Sequence, residues 1–178
     1  MKTSYRNNLI NLTLAAMFMA IGLVLPLLTG QIKTIGNMLL PMHIPVMLCG
    51  LICGWHYGAV VGFTLPLLRS VIFGMPQLYP NAVAMAFELM TYGLVIGICY
   101  KLLPKKNMNI YVSLIIAMLI GRAVWGGVTA ILLGASGSAL TWSVFISGAL
   151  LNAFPGIILQ FVIIPSLIML LQKMKLLR

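Results

Sequence analysis

Residues 69–92 read RSVIFGMPQLYPNAVAMAFELMTY, and this stretch decides how the rest of the chain is arranged. It joins the end of one long apolar run to the start of the next through a tight connection punctuated by Gly74, Pro76 and Pro80. It also carries Glu88, the single acidic residue of the protein, with Arg69 just across the connection. An ionisable group inside an apolar segment is expensive to keep in a bilayer. Such groups face a bundle interior or a wet cavity, and they mark substrate or ion paths. The connection is therefore expected to form one wall of a solute-binding cavity, with Tyr79 and Asn81 among its substrate contacts.

Composition narrows the class. The 178 residues suit one domain. Of them 62% are hydrophobic and only 7% charged, against roughly 25% charged in a soluble domain. Seventeen glycines within apolar runs fit transmembrane helices, which tolerate Gly and Pro better than soluble ones. The net charge of +10 is no nucleic-acid footprint, because the cations cluster at the ends of apolar runs instead of forming a basic stripe. Cys49, Cys53 and Cys99 all lie within apolar runs, an odd number that argues for packing and against a disulfide framework or metal site. His43 and His56 stand thirteen apart on different segments, which matches no zinc or haem spacing.

Working outward along the chain, six apolar segments predict an all-α integral membrane protein, a six-transmembrane-helix bundle within one domain. The expected helices cover about 9–28, 38–54, 58–73, 81–103, 110–133 and 144–172. About 20 apolar residues span a hydrocarbon core of ~30 Å, and the first segment is long for a signal peptide and has no clean cleavage site. Ala16 and Ala20 sit four apart on one face of helix 1, where another helix can approach closely. Gly50 and Gly54, then Gly58 and Gly62, repeat the small-residue spacing, and Trp55, His56 and Tyr57 read as an aromatic interfacial turn. Six spans put both termini on one side. Lys2, Arg6, Lys101, Lys105, Lys106, Lys173, Lys175 and Arg178 then fall on that side and only Lys33 on the other, which predicts cytoplasmic termini.

The remaining polar groups lie at depth. Glu88 is about seven residues into helix 4 from its outer end, ~10 Å at about 1.5 Å per residue. Arg122 is midway along helix 5, with Trp125 three residues on and on the same side. On helix 6, Gly148, Asn152, Gly156 and Gln160 recur every four residues as a small, polar face. Glu88, Arg122, Trp125, Asn152 and Arg69 are thus expected to converge on one outward-opening cavity. A plain Glu88–Arg122 staple is the competing account, although buried ion pairs contribute little net stability. Two arginines against one carboxylate leave a positive charge over, which an anionic ligand such as a carboxylate would match. Catalysis finds no support: there is no Ser/His/Asp set, no H-E-x-x-H, no Cys/His cluster, no paired carboxylates and no phosphate-binding loop. No cofactor is expected.

Six short helices, basic ends, Ala16-x-x-x-Ala20, and the run from Pro41-Met-His-Ile-Pro45 through Arg69 to Phe87-Glu88-Leu89 together resemble the substrate-binding S component of energy-coupling factor (ECF) vitamin transporters. The similarity spans essentially the whole chain. It implies a multi-pass protein of the bacterial plasma membrane that captures a small water-soluble substrate outside. Such a protein docks on a transmembrane coupling subunit driven by two ATPases. It also implies that Ala16 and Ala20 form the docking face and that the loop Gly30–Asn37 and the connection Phe73–Pro80 form a lid. The cavity would lie among helices 4, 5 and 6. The family's fold is shared and its ligand contacts are not, so the substrate does not transfer. The surplus arginine leans towards pantothenate, with a pyridoxine-like or pyrimidine-type ring on Trp125 close behind. Two other classes stay open: a free-standing secondary carrier or channel using Glu88 as an ion relay, and a structural membrane assembly factor.

Overall fold

A computed structural model of the chain describes residues 2–27, 39–104, 107–135 and 153–174. Among the described residues there is no strand, and six α-helices appear in chain order. They are α1 (Lys2–Val24), α2 (His43–Ile52), α3 (Trp55–Phe73), α4 (Val83–Leu102), α5 (Asn107–Ala135) and α6 (Phe154–Lys173). The loop 30–37 and the segment 144–152, expected to open helix 6, lie outside the described residues.

Among the described residues, five segments are long and apolar enough to cross a membrane: Asn8–Leu27, Trp55–Phe73, Leu78–Leu102, Asn107–Ala135 and Phe154–Lys173. Large apolar side chains lie exposed on the long helices, among them Leu12, Val71, Leu119, Ile131 and Val162. A surface of that kind is stable against lipid tails, while backbone groups satisfied within each helix meet the bilayer's other demand.

The sequence predicts a helix over 38–54, and here the structure differs. α2 has ten residues, about 15 Å of rise, which is too short for a hydrocarbon core of ~30 Å. Most of the lost length is at the start, where Leu40 has a positive φ of 49° and Pro41 and Met42 form a turn before His43; at the other end Gly54, φ 101°, separates α2 from the next helix. α3 then starts at Trp55, so the aromatic turn expected at 55–57 is its first turn. Gly54 makes no close packing contact, so of the pair Gly50 and Gly54 only Gly50 packs against a neighbouring helix. α2 is buried along nearly its whole length, with Val46, Met47 and Cys49 fully inaccessible, and packs against α1, α3, α4 and α6. Protein, not lipid, surrounds it.

Two contacts settle helix directions. The Tyr57 hydroxyl, at the start of α3, donates to the Asn8 carbonyl near the start of α1 at 3.4 Å. Arg69, near the far end of α3, donates from Nη1 to the Leu23 carbonyl at the end of α1 at 2.7 Å. α1 and α3 therefore run the same way, and the intervening chain, α2 included, returns across the bundle. α4 lies antiparallel to α3 in a seam without side chains: a methyl group on Gly93 would overlap the Gly58 backbone, and one on Gly62 would overlap the Leu89 backbone. Close backbone approach of this type replaces the hydrophobic drive that lipid removes. α5 returns antiparallel to α4. The Gln172 amide of α6 donates to the Tyr100 hydroxyl of α4 at 2.8 Å, so the C-terminal ends of α4 and α6 meet. Following these contacts round, the start of α1 and the end of α6 share one end of the bundle, together with Arg6, Lys101 and Lys173.

Between α3 and α4 the chain turns at Gly74, which closes α3 in the left-handed conformation (φ 69°) with its N–H on the Ser70 carbonyl. Residues Leu78–Ala82 then form a wide turn in which Tyr79 is extended (φ −116°, ψ 134°), and α4 begins.

Candidate functional site: a polar junction on Glu88

Glu88 lies five residues into α4, 1% exposed, in the middle of the apolar core. Its oxygen Oε1 gathers three neighbours from three helices. Arg122 of α5 brings Nη1 to 2.9 Å. Tyr92, one turn further along α4, donates its hydroxyl at 3.0 Å. His43, the first residue of α2, holds Nε2 3.6 Å away, just beyond hydrogen-bonding length. The His43 and Tyr92 rings stand 5.3 Å apart at 55°. Gly121, the residue before Arg122, lies flat against the Tyr92 ring, where any methyl group would overlap it. The glycine thus lets α5 come close enough for the arginine to reach across.

Of the residues singled out from sequence, the structure brings Glu88 and Arg122 together. Trp125 is half-buried on α5, three residues beyond Arg122. Asn152 lies outside the described residues. Arg69 goes elsewhere. The seam that sets Gly62 beside Leu89 puts Arg69 seven residues, about 10 Å, further from the end of the bundle that carries Arg6 and Lys173. There it is 3% exposed, bonded to the Leu23 carbonyl, with its guanidinium carbon 5.2 Å from the centre of the Phe73 ring. A helix C-terminus carries partial negative charge, so α1 itself answers the second guanidinium. The surplus cation that pointed to an anionic ligand therefore already has a partner inside the protein.

Tyr79 is partly exposed and donates its hydroxyl to the Leu132 carbonyl, tying the 74–82 connection to the end of α5. Asn81 is exposed. Ala16 and Ala20 lie on the exposed face of α1, opposite Ala15, Phe18 and Gly22, which face the core.

Sequence reasoning missed His43 and Tyr92. Tyr92 was available from spacing, because i and i+4 side chains meet on one helix face and Glu88 is four residues before it. His43 carried no such signal, since its place depends on how α2 folds back into the bundle. Among the described residues no group of three His, Cys, Asp or Glu side chains is arranged to hold a metal ion.

Chemically, the junction can fix an arginine at mid-depth and present polar atoms within an apolar core. It contains no nucleophile–base pair. Comparison with known proteins adds the family. The model of the ECF transporter substrate-specific component matches residues 11–168, from α1 through nearly all of α6. Neither a search of curated proteins nor one of solved structures found a match. A substrate-specific component is a transporter subunit, not an enzyme, and it works in the membrane with a coupling subunit and ATPases on a small-molecule substrate. Match, helix content and buried polar junction agree: this chain belongs to the substrate-specific components of ECF transporters, as the substrate-binding subunit of an importer.

Proposed function

We propose that this subunit captures a water-soluble vitamin or related micronutrient from the outer side of a bacterial plasma membrane and delivers it through an ECF module. The observation that carries this reading is the family match over residues 11–168, which takes in α2 to α5 whole and most of α1 and α6. Both termini are cytoplasmic in this reading. The support is charge: Arg6, Lys101 and Lys173 share the end of the bundle where the described chain starts and finishes, and cations accumulate on the cytoplasmic side. Substrate enters from the other end, where Tyr79 and Asn81 flank the 74–82 connection, and settles above Glu88 and Arg122 with Trp125 and Asn152 beside it. Ala16 and Ala20, small and exposed on α1, form the face that meets the coupling subunit.

Pantothenate, a pyridoxine-like molecule and a pyrimidine are the candidate ligands. With Arg69 bonded to Leu23, the charge argument for pantothenate weakens and the ring-bearing candidates move ahead. The free-standing carrier remains the second reading because Glu88 is a buried acid at mid-depth. Against it stands the occupied position of Glu88, whose oxygen is already taken up by Arg122 at 2.9 Å and Tyr92 at 3.0 Å.

The test is uptake into proteoliposomes. The purified chain should bind its ligand alone, and accumulation should require the coupling subunit, both ATPases and ATP. Uptake by this chain alone, driven by a proton gradient and lost in Glu88→Gln, would establish the carrier reading instead.

A further inference from the structure

Three buried polar side chains at or near the junction have hydrogen-bonding capacity unused among the described residues. His43, Thr129 and Gln160 are 1%, 8% and 1% exposed. Both ring nitrogens of His43, the Thr129 hydroxyl and the Gln160 amide nitrogen lack a hydrogen-bond partner among the described residues. Buried polar groups in native proteins are nearly always bonded, and each exception asks for an explanation.

Two of them share a depth and the third shares a helix face with Arg122. His43 Nε2 is 3.6 Å from Glu88 Oε1, so it lies at the centre of the bundle. Gln160 sits at the same depth: Tyr100 and Gln172 bond at the C-terminal ends of α4 and α6, and Glu88 and Gln160 each lie twelve residues before that tie. Thr129 is seven residues, two turns, beyond Arg122, so both occupy one face of α5. Trp125 falls between them, three residues from one and four from the other, on that same face. His43 and Gln160 thus stand at the level of the Glu88–Arg122 pair, while Thr129 lies on the Arg122 face of α5 about 10 Å further from the end that carries Arg6 and Lys173.

Their chemistry selects a ligand class. Hydroxyl and amide groups carry no charge, and the amide nitrogen needs an acceptor. Imidazole in its neutral form offers one donor and one acceptor. The two guanidinium groups within the spans are matched, Arg122 by Glu88 and Arg69 by the end of α1. A ligand with net negative charge would compete with those contacts for the guanidinium groups, whereas an uncharged one meets groups that already need partners.

We propose that the transported ligand carries no net charge and is a hydrogen-bonding ring. Gln160 supplies a donor to its ring, His43 bonds its edge, Trp125 offers a stacking face, and Thr129, two turns further along α5, donates to a substituent. The proposal rests on the transport reading above and narrows its substrate.

The experiment has two arms. Small molecules that co-purify with the detergent-solubilised chain are identified by mass spectrometry, and pyridoxine, uracil and pantothenate are titrated against the purified chain by calorimetry. Binding is then repeated with Gln160→Met and Thr129→Val, near-isosteric changes that remove the orphaned groups. An uncharged ring should bind, and each variant should weaken it about five- to tenfold, the worth of one hydrogen bond. Without ligand, the variants' melting temperatures should hold or rise, because an unsatisfied group has gone. The ligand-induced rise in melting temperature should shrink. Preferential binding of pantothenate or another anion, or variants that bind an uncharged ring as tightly as the parent, overturns the proposal and leaves the transport reading standing. No ligand in either arm, together with no module-dependent uptake, overturns both.

Discussion

Arg122 of α5 places Nη1 2.9 Å from Oε1 of Glu88 on α4, joining the only acidic side chain of the protein to a guanidinium midway through the bundle. The pair is nearly dry: the Glu88 side chain is 2% exposed and that of Arg122 14%. Taking both charges out of water offsets much of their attraction, so the pair contributes little net stability while intact. Removing one partner is a different matter, because the other charge is left buried and alone.

Arg122→Ala should therefore destabilise the purified protein by about 3–5 kcal/mol. The double variant Glu88→Gln with Arg122→Met should recover a large part of that loss. Thermal unfolding in detergent measures both. If the pair also lines the ligand site, the double variant recovers stability without recovering binding. Recovery of both would make the pair a staple and nothing more.

Tyr92→Phe removes one donor to the same carboxylate oxygen while keeping the ring against Gly121 and His43. The expected cost is about 1.5–3 kcal/mol, the range for a hydrogen bond to a charged group. Gly121→Ala should cost more, since its methyl group has only the Tyr92 ring to enter. Melting temperatures of the two variants, compared side by side, check the order.

The seam between α3 and α4 leaves no room for a side chain at Gly93. Gly93→Val should abolish folded, monodisperse protein, whereas Gly127→Ala should be neutral or stabilising by up to about 1 kcal/mol. Gly127 has open space around it on α5. Size-exclusion profiles after membrane extraction separate the two outcomes.

Arg69→Ala frees the Leu23 carbonyl and the end of α1. The expected result is a loss of about 1.5–3 kcal/mol and faster hydrogen exchange confined to residues near 20–27. Ligand affinity should hold. A large fall in affinity with unchanged exchange would mean that Arg69 serves the ligand.

Ala16→Trp should abolish module-dependent uptake and leave ligand binding by the isolated chain intact, because the bulk falls on an exposed face of α1 and away from the core. Uptake that survives the tryptophan would show the docking face to be elsewhere on the bundle.

Much of this was legible along the chain. Apolar runs of membrane-spanning length, cations gathered at their ends, and a lone acid within one run depend on local composition, and a bilayer reads composition directly. Depth along a helix is also a sequence quantity, so Glu88 and Arg122 could be set at similar levels before any contact was known. Direction around the bundle axis and the packing of short elements are not. That Arg69 turns to the Leu23 carbonyl and that His43 arrives beside Glu88 depend on contacts between residues 45 or more positions apart, and the wrapping of α2 depends on how four other helices pack round it. Local periodicity carries no record of such contacts. The glycine seam and the crossing of α4 and α5 created them, by letting backbones approach until only particular side chains could meet.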